Sequence, residues 1–268
     1  MDETITVLGV TIRRSPVSPV SEKRCVYLTN GFCKTCTCDE CEGGWLMDEW
    51  RQDIRNGGSM LGPRECKCVE KARSRKRLRD SGLERLAARC TFESFKTAMP
   101  WQQGVKKLAQ EYLKDAKRLS FFIGGQTGCG KTHLCTAICN EIIERGGRLR
   151  YFQWVRDGTR LKQLMEDYAS YQKEIDALIG MRYLYIDDLF KQEITAADIR
   201  LAYEILNGRC IAGRPTILSS ERNLNCIKSA RDGEGEAIAG RIFESCGHGK
   251  YCVEMTGTDK NLRLERKK

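Results

Sequence analysis

From residue 91 onward the chain predicts an α/β domain with a mostly parallel sheet, and three observations predict it. Short apolar runs alternate with segments of helical periodicity. One such run, residues 121–123, leads straight into the glycine-rich stretch 124–132 (GGQTGCGKT). Another, residues 183–186 (YLYI), ends on the acidic pair Asp187 and Asp188. Ligands of parallel α/β sheets collect outside the carboxyl ends of the strands, so the last two observations place a site as well as a fold.

The chain divides by composition into residues 1–24, 25–89 and 90–268. The first is a tail with Pro16 and Pro19, expected to be poorly ordered. The second is a small cysteine-rich module followed by a basic helix. In the third, Trp101, Val105, Leu108 and Tyr112 recur at helical spacing and predict a helix over one flank of the sheet. The next helix begins inside the glycine-rich loop and stops near Gly146 and Gly147, and a strand is expected over 149–155. Leu161, Leu164, Tyr168, Ile175 and Leu178 form an apolar stripe that predicts one long helix leading to the 183–186 strand. Thr195, with Asp198 three residues on, resembles a capping box and opens a helix carrying Ile199, Ala202 and Leu206. Pro215 introduces a strand at 216–218, and a helix near 236–245 with a strand at 251–255 completes the sheet.

The glycine-rich stretch has the P-loop spacing, Gly125, four residues, then Gly130, Lys131 and Thr132. Glycines let the backbone of Gly125, Gln126, Thr127, Gly128, Cys129 and Gly130 turn tightly and aim N–H groups at phosphate oxygens. Lys131 sets a cation on the outer phosphates of a nucleoside triphosphate such as ATP, and the Thr132 hydroxyl can ligate Mg²⁺. Asp187 would support that metal beside Thr132, through a bound water, and Asp188 would orient or activate the attacking water.

Charge and cysteine content bound the setting. The formal net charge of +10 favours an anionic partner, and with no amphipathic membrane-surface helix in view, nucleic acid is the expectation. Met1, Asp2 and Glu3 make an acidic start and the apolar stretch around Val7 is short, so a soluble cytoplasmic protein without a membrane partner is expected. In that reducing setting fifteen cysteines point to metal ligation and buried thiols rather than disulfides. Cys129, Cys135 and Cys139 are read as small buried residues.

Residues 91–95 (TFESF), GGQTGCGKTH, LYIDDLFK, the Leu218, Ser219, Ser220 stretch and the Asn261, Leu262, Arg263, Leu264 ending together resemble the AAA+ ATPases, and among them the DnaC-type replicative-helicase loaders of bacteria and phages. The resemblance implies a five-stranded parallel sheet, oligomers joined through the ATP site, and a trans-acting arginine. Arg241, in the segment 239–244 (AGRIFE), occupies the matching place and becomes the candidate to stabilise charge on the transferring phosphoryl group of a neighbouring subunit. It also implies a hexameric replicative helicase and single-stranded DNA as partners. Two departures stand out. The sequence reads Ser219, Ser220, Glu221 where a polar sensor asparagine is usual, and a carboxylate facing the γ-phosphate would be repelled, so either a serine takes the role or ATP hydrolysis is weak. The short segment after the last strand leaves no room for a helical lid, which also resembles the loaders and leaves Arg263 as a second phosphate sensor only by analogy.

Upstream, Cys38 and Cys41, followed by Gly43, Gly44 and Trp45, read as a metal knuckle, with Cys66 and Cys68 as a second thiolate pair for tetrahedral Zn²⁺. A similar CxxC…CxC arrangement in the loaders favours this set, while Cys33 and Cys36 leave an alternative open. The run Lys71, Arg73, Arg75, Lys76, Arg77 and Arg79 either binds phosphates or docks on an acidic surface. Three other readings share the P-loop: the ATPase partner of a transposase, a nucleotide kinase, and a zinc-dependent DNA-binding module with a silent nucleotide site. For a kinase, neither an acceptor pocket nor an arginine-rich lid is found in the sequence.

Overall fold

A computed structural model of the chain describes residues 65–80, 83–117, 119–255 and 261 in full, and the backbone alone of 4–7, 10–13, 45–46, 50–52, 59–61 and 64. The chain forms two compact units, Met1–Val69 and Glu70–Lys268.

In the first unit the described strands pair antiparallel: β1 (Thr4–Val7) with β2 (Val10–Arg13), β3 (Trp45–Leu46) with β6 (Arg64–Glu65), and β4 (Trp50–Gln52) with β5 (Ser59–Leu61). Thr, Ile and Val dominate the β1 and β2 runs and favour extended, paired backbone. The β3–β6 ladder encloses the β4–β5 ladder, and its register sets Trp45 opposite Glu65. Cys33, Cys36, Cys38 and Cys41 lie outside the described residues, and among the described residues no group of three or more His, Cys, Asp or Glu side chains is gathered as a metal site.

The basic helix α1 (Lys67–Asp80) has almost no apolar stripe and is held by polar contacts. From Glu70 it belongs to the second unit. Lys71 and Arg75 both pair with Glu144, Arg77 pairs with Glu70 at 2.6 Å, and Ser74 Oγ donates to the Gly147 carbonyl at 2.8 Å. Several of the helix's cations are therefore engaged by carboxylates of this same unit. The helix α2 (Glu84–Arg89) follows, and Asn140 donates its side-chain amide to the carbonyls of Ala87 and Cys90.

After α3 (Pro100–Tyr112), the order of the remaining elements is β7 (Phe121–Gly125), α4 (Lys131–Glu144), β8 (Leu149–Gln153), α5 (Thr159–Gln163), α6 (Tyr168–Gly180), β9 (Tyr183–Leu189), α7 (Ala196–Ile211), β10 (Thr216–Ser220), α8 (Leu224–Lys228), α9 (Glu236–Ser245) and β11 (Cys252–Met255). The five strands form one parallel sheet ordered β11-β7-β10-β9-β8. Every residue of β7 and β10 is buried, as strands covered on both faces require. Helix α4 packs against the sheet together with α2 and α3, while α6, α7, α8 and α9 form a second contiguous group.

Two predicted boundaries change and one helix is added. Strand β8 stops at Gln153 and the chain turns through a π-helical loop, Trp154–Gly158, with Asp157 accepting the Gln153 N–H. The single long helix divides into α5, a 3₁₀ turn (Leu164–Glu166) and α6, because Asp167 caps α6 by accepting from the Ser170 N–H. Tyr168 is consequently 72% exposed, and Tyr171 is the buried residue of that turn. The helix α8, capped by Asn223, has no counterpart in the periodicity. The Thr195–Asp198 capping box at the start of α7 is present, with Asp198 also bonded to Lys162 at 2.8 Å.

Candidate nucleotide site

The sheet order puts β10 between the P-loop strand β7 and the acidic strand β9, so the site forms where these three carboxyl ends meet. Gly125 adopts a φ of 126°, and a Cβ there would lie 2.2 Å from the Met255 carbonyl oxygen: the loop can leave β7 beside β11 only with glycine at that position. Gly130, with φ of 93°, is the N-cap of α4. Lys131 is almost fully buried and donates to the carbonyls of Gly125 at 2.9 Å and Gln126 at 2.8 Å, which curls the loop around its own cation. An anionic ligand can exchange with those carbonyls at the same ammonium group.

The segment ahead of the sheet closes the other side of the loop. His133, one turn into α4, contacts the Thr91 carbonyl at 3.0 Å and Ser94 Oγ at 3.2 Å, and its ring meets Phe95 edge-on with centroids 5.3 Å apart. The position of His133 in GKTH was visible in the sequence, but its partners more than thirty residues upstream were not.

Asp187 and Asp188 sit in a β-bulge. Leu218 pairs with Ile186 and Ser220 with Leu189, so Ser219 alone faces two residues of β9. Asp188 accordingly takes a left-handed φ of 57°, a conformation Asp tolerates better than most residues, and its N–H donates to Ser219 Oγ at 3.0 Å. The Ser219 hydroxyl donates in turn to Asp187 Oδ1. Ser219 occupies the junction of the two aspartates, and Lys191 pairs with Asp188 at 2.6 Å and with Glu221 at 3.7 Å. The Asp188 carboxylate, by hydrogen bond and charge, pushes the Lys191 ammonium above its ordinary range, so that cation is fully charged at neutral pH.

Asp187 is buried and meets the P-loop directly, with Thr132 Oγ1 at 3.3 Å from its Oδ1. Tyr185 donates to the same oxygen at 2.7 Å and Tyr151 to Oδ2 at 3.0 Å. These tyrosines were not singled out by sequence. Tyr185 lies two residues before Asp187, hence on the same face of β9, and Tyr151 is its register partner on β8. Burial, and then the Asp187 charge, raise both phenols well above their ordinary range, so both remain hydrogen-bond donors. The oxygen ligands offered by Thr132 and Asp187 are those a hard divalent cation takes. Cys129, Cys135 and Cys139 are buried, and burial pushes the latter two thiols up, away from reactive thiolate.

The structure thus brings Lys131, Thr132, Asp187 and Asp188 to one end of the sheet. Arg241 is elsewhere, on the exposed face of α9, where its ion-pair partner is Glu244 at 2.9 Å. Among the described residues no helix is long and apolar enough to cross a membrane.

Residues 59–267 match the family described as IstB-like ATP binding protein. The phage-like element PBSX protein XkdC of Bacillus subtilis is 28% identical over 244 residues, covering 85% of this chain and 86% of that protein. The replicative helicase loader DnaC of Escherichia coli K12 is 25% identical over 54% of this chain and 60% of its own length. A putative ATP-binding protein in an insertion sequence of Mycobacterium tuberculosis is 34% identical over 58% of this chain and 61% of its own length. Among solved structures, that of the DnaC helicase loader superimposes with a TM-score of 0.53 at 21% identity, over 58% of this chain and 93% of that one, which shows the same fold.

Proposed function

This chain belongs to the IstB-like ATP-binding family, within the AAA+ fold, and on that premise we propose that it is an ATP-dependent loader of a hexameric replicative DNA helicase. The observation that carries the reading is the junction of Thr132 and Asp187 at 3.3 Å beside the buried Lys131, on a sheet whose relatives include a replicative helicase loader. In this reading the loop from Gly125 to Thr132 holds the ATP phosphates, with Lys131 on the outer ones. Thr132 and Asp187 hold Mg²⁺, which when bound supplies charge neutralisation between the phosphates. Asp188 orients the attacking water, and Lys191 offsets the repulsion that Asp188 and Glu221 would exert on a γ-phosphate. Arg241 completes the site of an adjacent subunit, so ATP binding drives self-assembly and engagement of single-stranded DNA.

The test is co-purification with a hexameric helicase from the same genome, with and without ATP. An ATP-dependent complex is expected, and Lys131→Ala should abolish it: losing hydrogen bonds from a charged donor costs about 1.5–3 kcal/mol, at least a tenfold loss of ATP affinity. Absence of any ATP-sensitive complex removes the loader reading. The insertion-sequence relative at 34% identity favours a second reading, the ATPase partner of a transposase. An ATP-sensitive complex with a transposase and none with a helicase would establish it.

The N-terminal module is proposed to bind Zn²⁺ through Cys38, Cys41, Cys66 and Cys68 and to serve as the helicase-binding part. Support comes from the β3–β6 register, in which the chain following Cys41 runs beside the chain preceding Cys66, at the same end of the ladder. Purified protein should carry one zinc per chain by elemental analysis and lose it on Cys66→Ser, because a three-thiolate remnant holds the ion far less tightly. Full metal retention in that variant rejects the ligand set.

A further inference from the structure

Both oxygens of the Asp187 carboxylate accept from hydroxyl groups of its own chain. A carboxylate offers about four acceptor sites. Here Thr132, Tyr185 and Ser219 donate to Oδ1 and Tyr151 donates to Oδ2, all at a residue only 5% exposed. A metal-bound water reaching Asp187 is itself a donor and meets a carboxylate whose charge is already shared among these four hydroxyls. The Thr132 contact, at 3.3 Å, is the longest of the four and is given up when Thr132 turns towards a metal, which leaves Tyr185 and Ser219 on Oδ1 and Tyr151 on Oδ2. The two phenols have no such alternative. Their rings are buried, they lie 5.2 Å apart on adjacent strands, and both hydroxyls are aimed at the same carboxylate.

We propose that Tyr151 and Tyr185 are positioning residues that disperse the Asp187 charge by hydrogen bonding and so set the Mg²⁺ concentration at which the protein holds nucleotide. The inference rests on the nucleotide-site reading above and deepens it. Without one phenol donor the carboxylate has a less dispersed charge, so it takes a metal-bound water more readily. A purely structural role for the tyrosines would do the reverse: loosening the carboxylate would weaken metal uptake or leave it unchanged.

The experiment titrates Mg²⁺ against binding of a fluorescent ATP analogue to the full-length protein and to Tyr151→Phe and Tyr185→Phe, with thermal melting to show that each is folded. The phenylalanine ring preserves the packing and removes only the hydroxyl. The Mg²⁺ midpoint should fall about three- to tenfold in Tyr151→Phe, the free-energy equivalent of one net hydrogen bond, and in the same direction in Tyr185→Phe. An unchanged or higher midpoint in Tyr151→Phe overturns the inference while the nucleotide-site reading stands. Failure of the unaltered protein to bind the analogue with Mg²⁺ present overturns that reading, and the inference with it.

Discussion

Arg241→Ala lowers ATP turnover on the order of 10³-fold, while nucleotide affinity of the isolated subunit stays in its original range. The expectation follows from where the side chain is. Arg241 lies on the exposed face of α9, paired with Glu244 at 2.9 Å, and is no part of the P-loop that its own chain builds. A solvent-exposed pair of this kind is screened and easily exchanged, so the guanidinium can leave Glu244 for a phosphate presented by a neighbouring copy. Measuring turnover per site against protein concentration separates the effect from assembly. Mixing supplies the sharper check. Lys131→Ala subunits retain Arg241 but lack a working loop, and Arg241→Ala subunits have the converse defect, so a mixture should regain activity that neither shows alone. Full turnover in Arg241→Ala would mean that this residue does no more than pair with Glu244 on the surface of α9.

That expectation depends on a motif the sequence exposes, whereas much of the site's detail depends on register, which it does not. The P-loop, the acidic strand end, the capping box at Thr195 and Asp198, and the helix at 236–245 are legible because each is carried by neighbours along the chain: glycine spacing, an apolar run, a cap three residues from its partner. The bulge that faces Asp187 and Asp188 with the single residue Ser219 arises from how β9 lies against β10, and no local pattern announces it. Tyr151 likewise reaches Asp187 only because β8 pairs with β9 in one particular register. Two other cases have a different origin. The apolar stripe from Leu161 to Leu178 predicts one helix because its spacing carries no sign of the break, which Asp167 makes by capping the start of α6. The charge run 71–79 suggests phosphates or an acidic partner surface, and the acidic residues that meet it, Glu70 and Glu144, are in the same unit.

The bulge also explains how a chain with serine at the sensor position can keep its acidic residues apart from the phosphate. Ser219 is short, and it both accepts from the Asp188 N–H and donates to Asp187, fixing the two aspartates relative to each other. Lys191 then draws Asp188 and Glu221 towards itself. In the proposed site the field at a γ-phosphate would be set by this group of three charges with Lys131, rather than by Glu221 alone. Weak hydrolysis is therefore not required by the sequence Ser-Ser-Glu.

The largest expected effect on stability belongs to Arg209, at the opposite end of the sheet from the nucleotide site. Its side chain is 1% exposed and lies at the last turn of α7. Nη1 donates to the carbonyls of Leu178, Ile179 and Met181 at 2.6, 3.2 and 2.8 Å, Nη2 to Pro215 at 2.6 Å, and Nε to Thr216 Oγ1 at 2.8 Å. The carbonyls of Leu178 and Ile179 belong to the final turn of α6, which lacks intrahelical donors and carries the negative end of the helix dipole. One guanidinium therefore ties α6, the start of β9 and the start of β10 together. Burial, with Arg214 nearby, lowers its pKa to about 9, so it is still charged at neutral pH, and its hydrogen bonds are charge-assisted. Arg209→Met keeps the aliphatic bulk and leaves those buried carbonyls without donors, at a cost of about 3–5 kcal/mol, of the size seen when a buried charged network loses a partner. For a unit of this size the melting temperature should drop by roughly 10 °C. Lysine should recover only a minor part, since a single ammonium cannot span carbonyls on three elements. Denaturant unfolding of the full-length protein measures the loss, and nucleotide affinity, read well below the new melting temperature, should be unaltered because Arg209 and the P-loop lie at opposite ends of the strands. A variant as stable as the parent would show that the carbonyls find water or a relaxed α6 end instead, and that the clamp is dispensable.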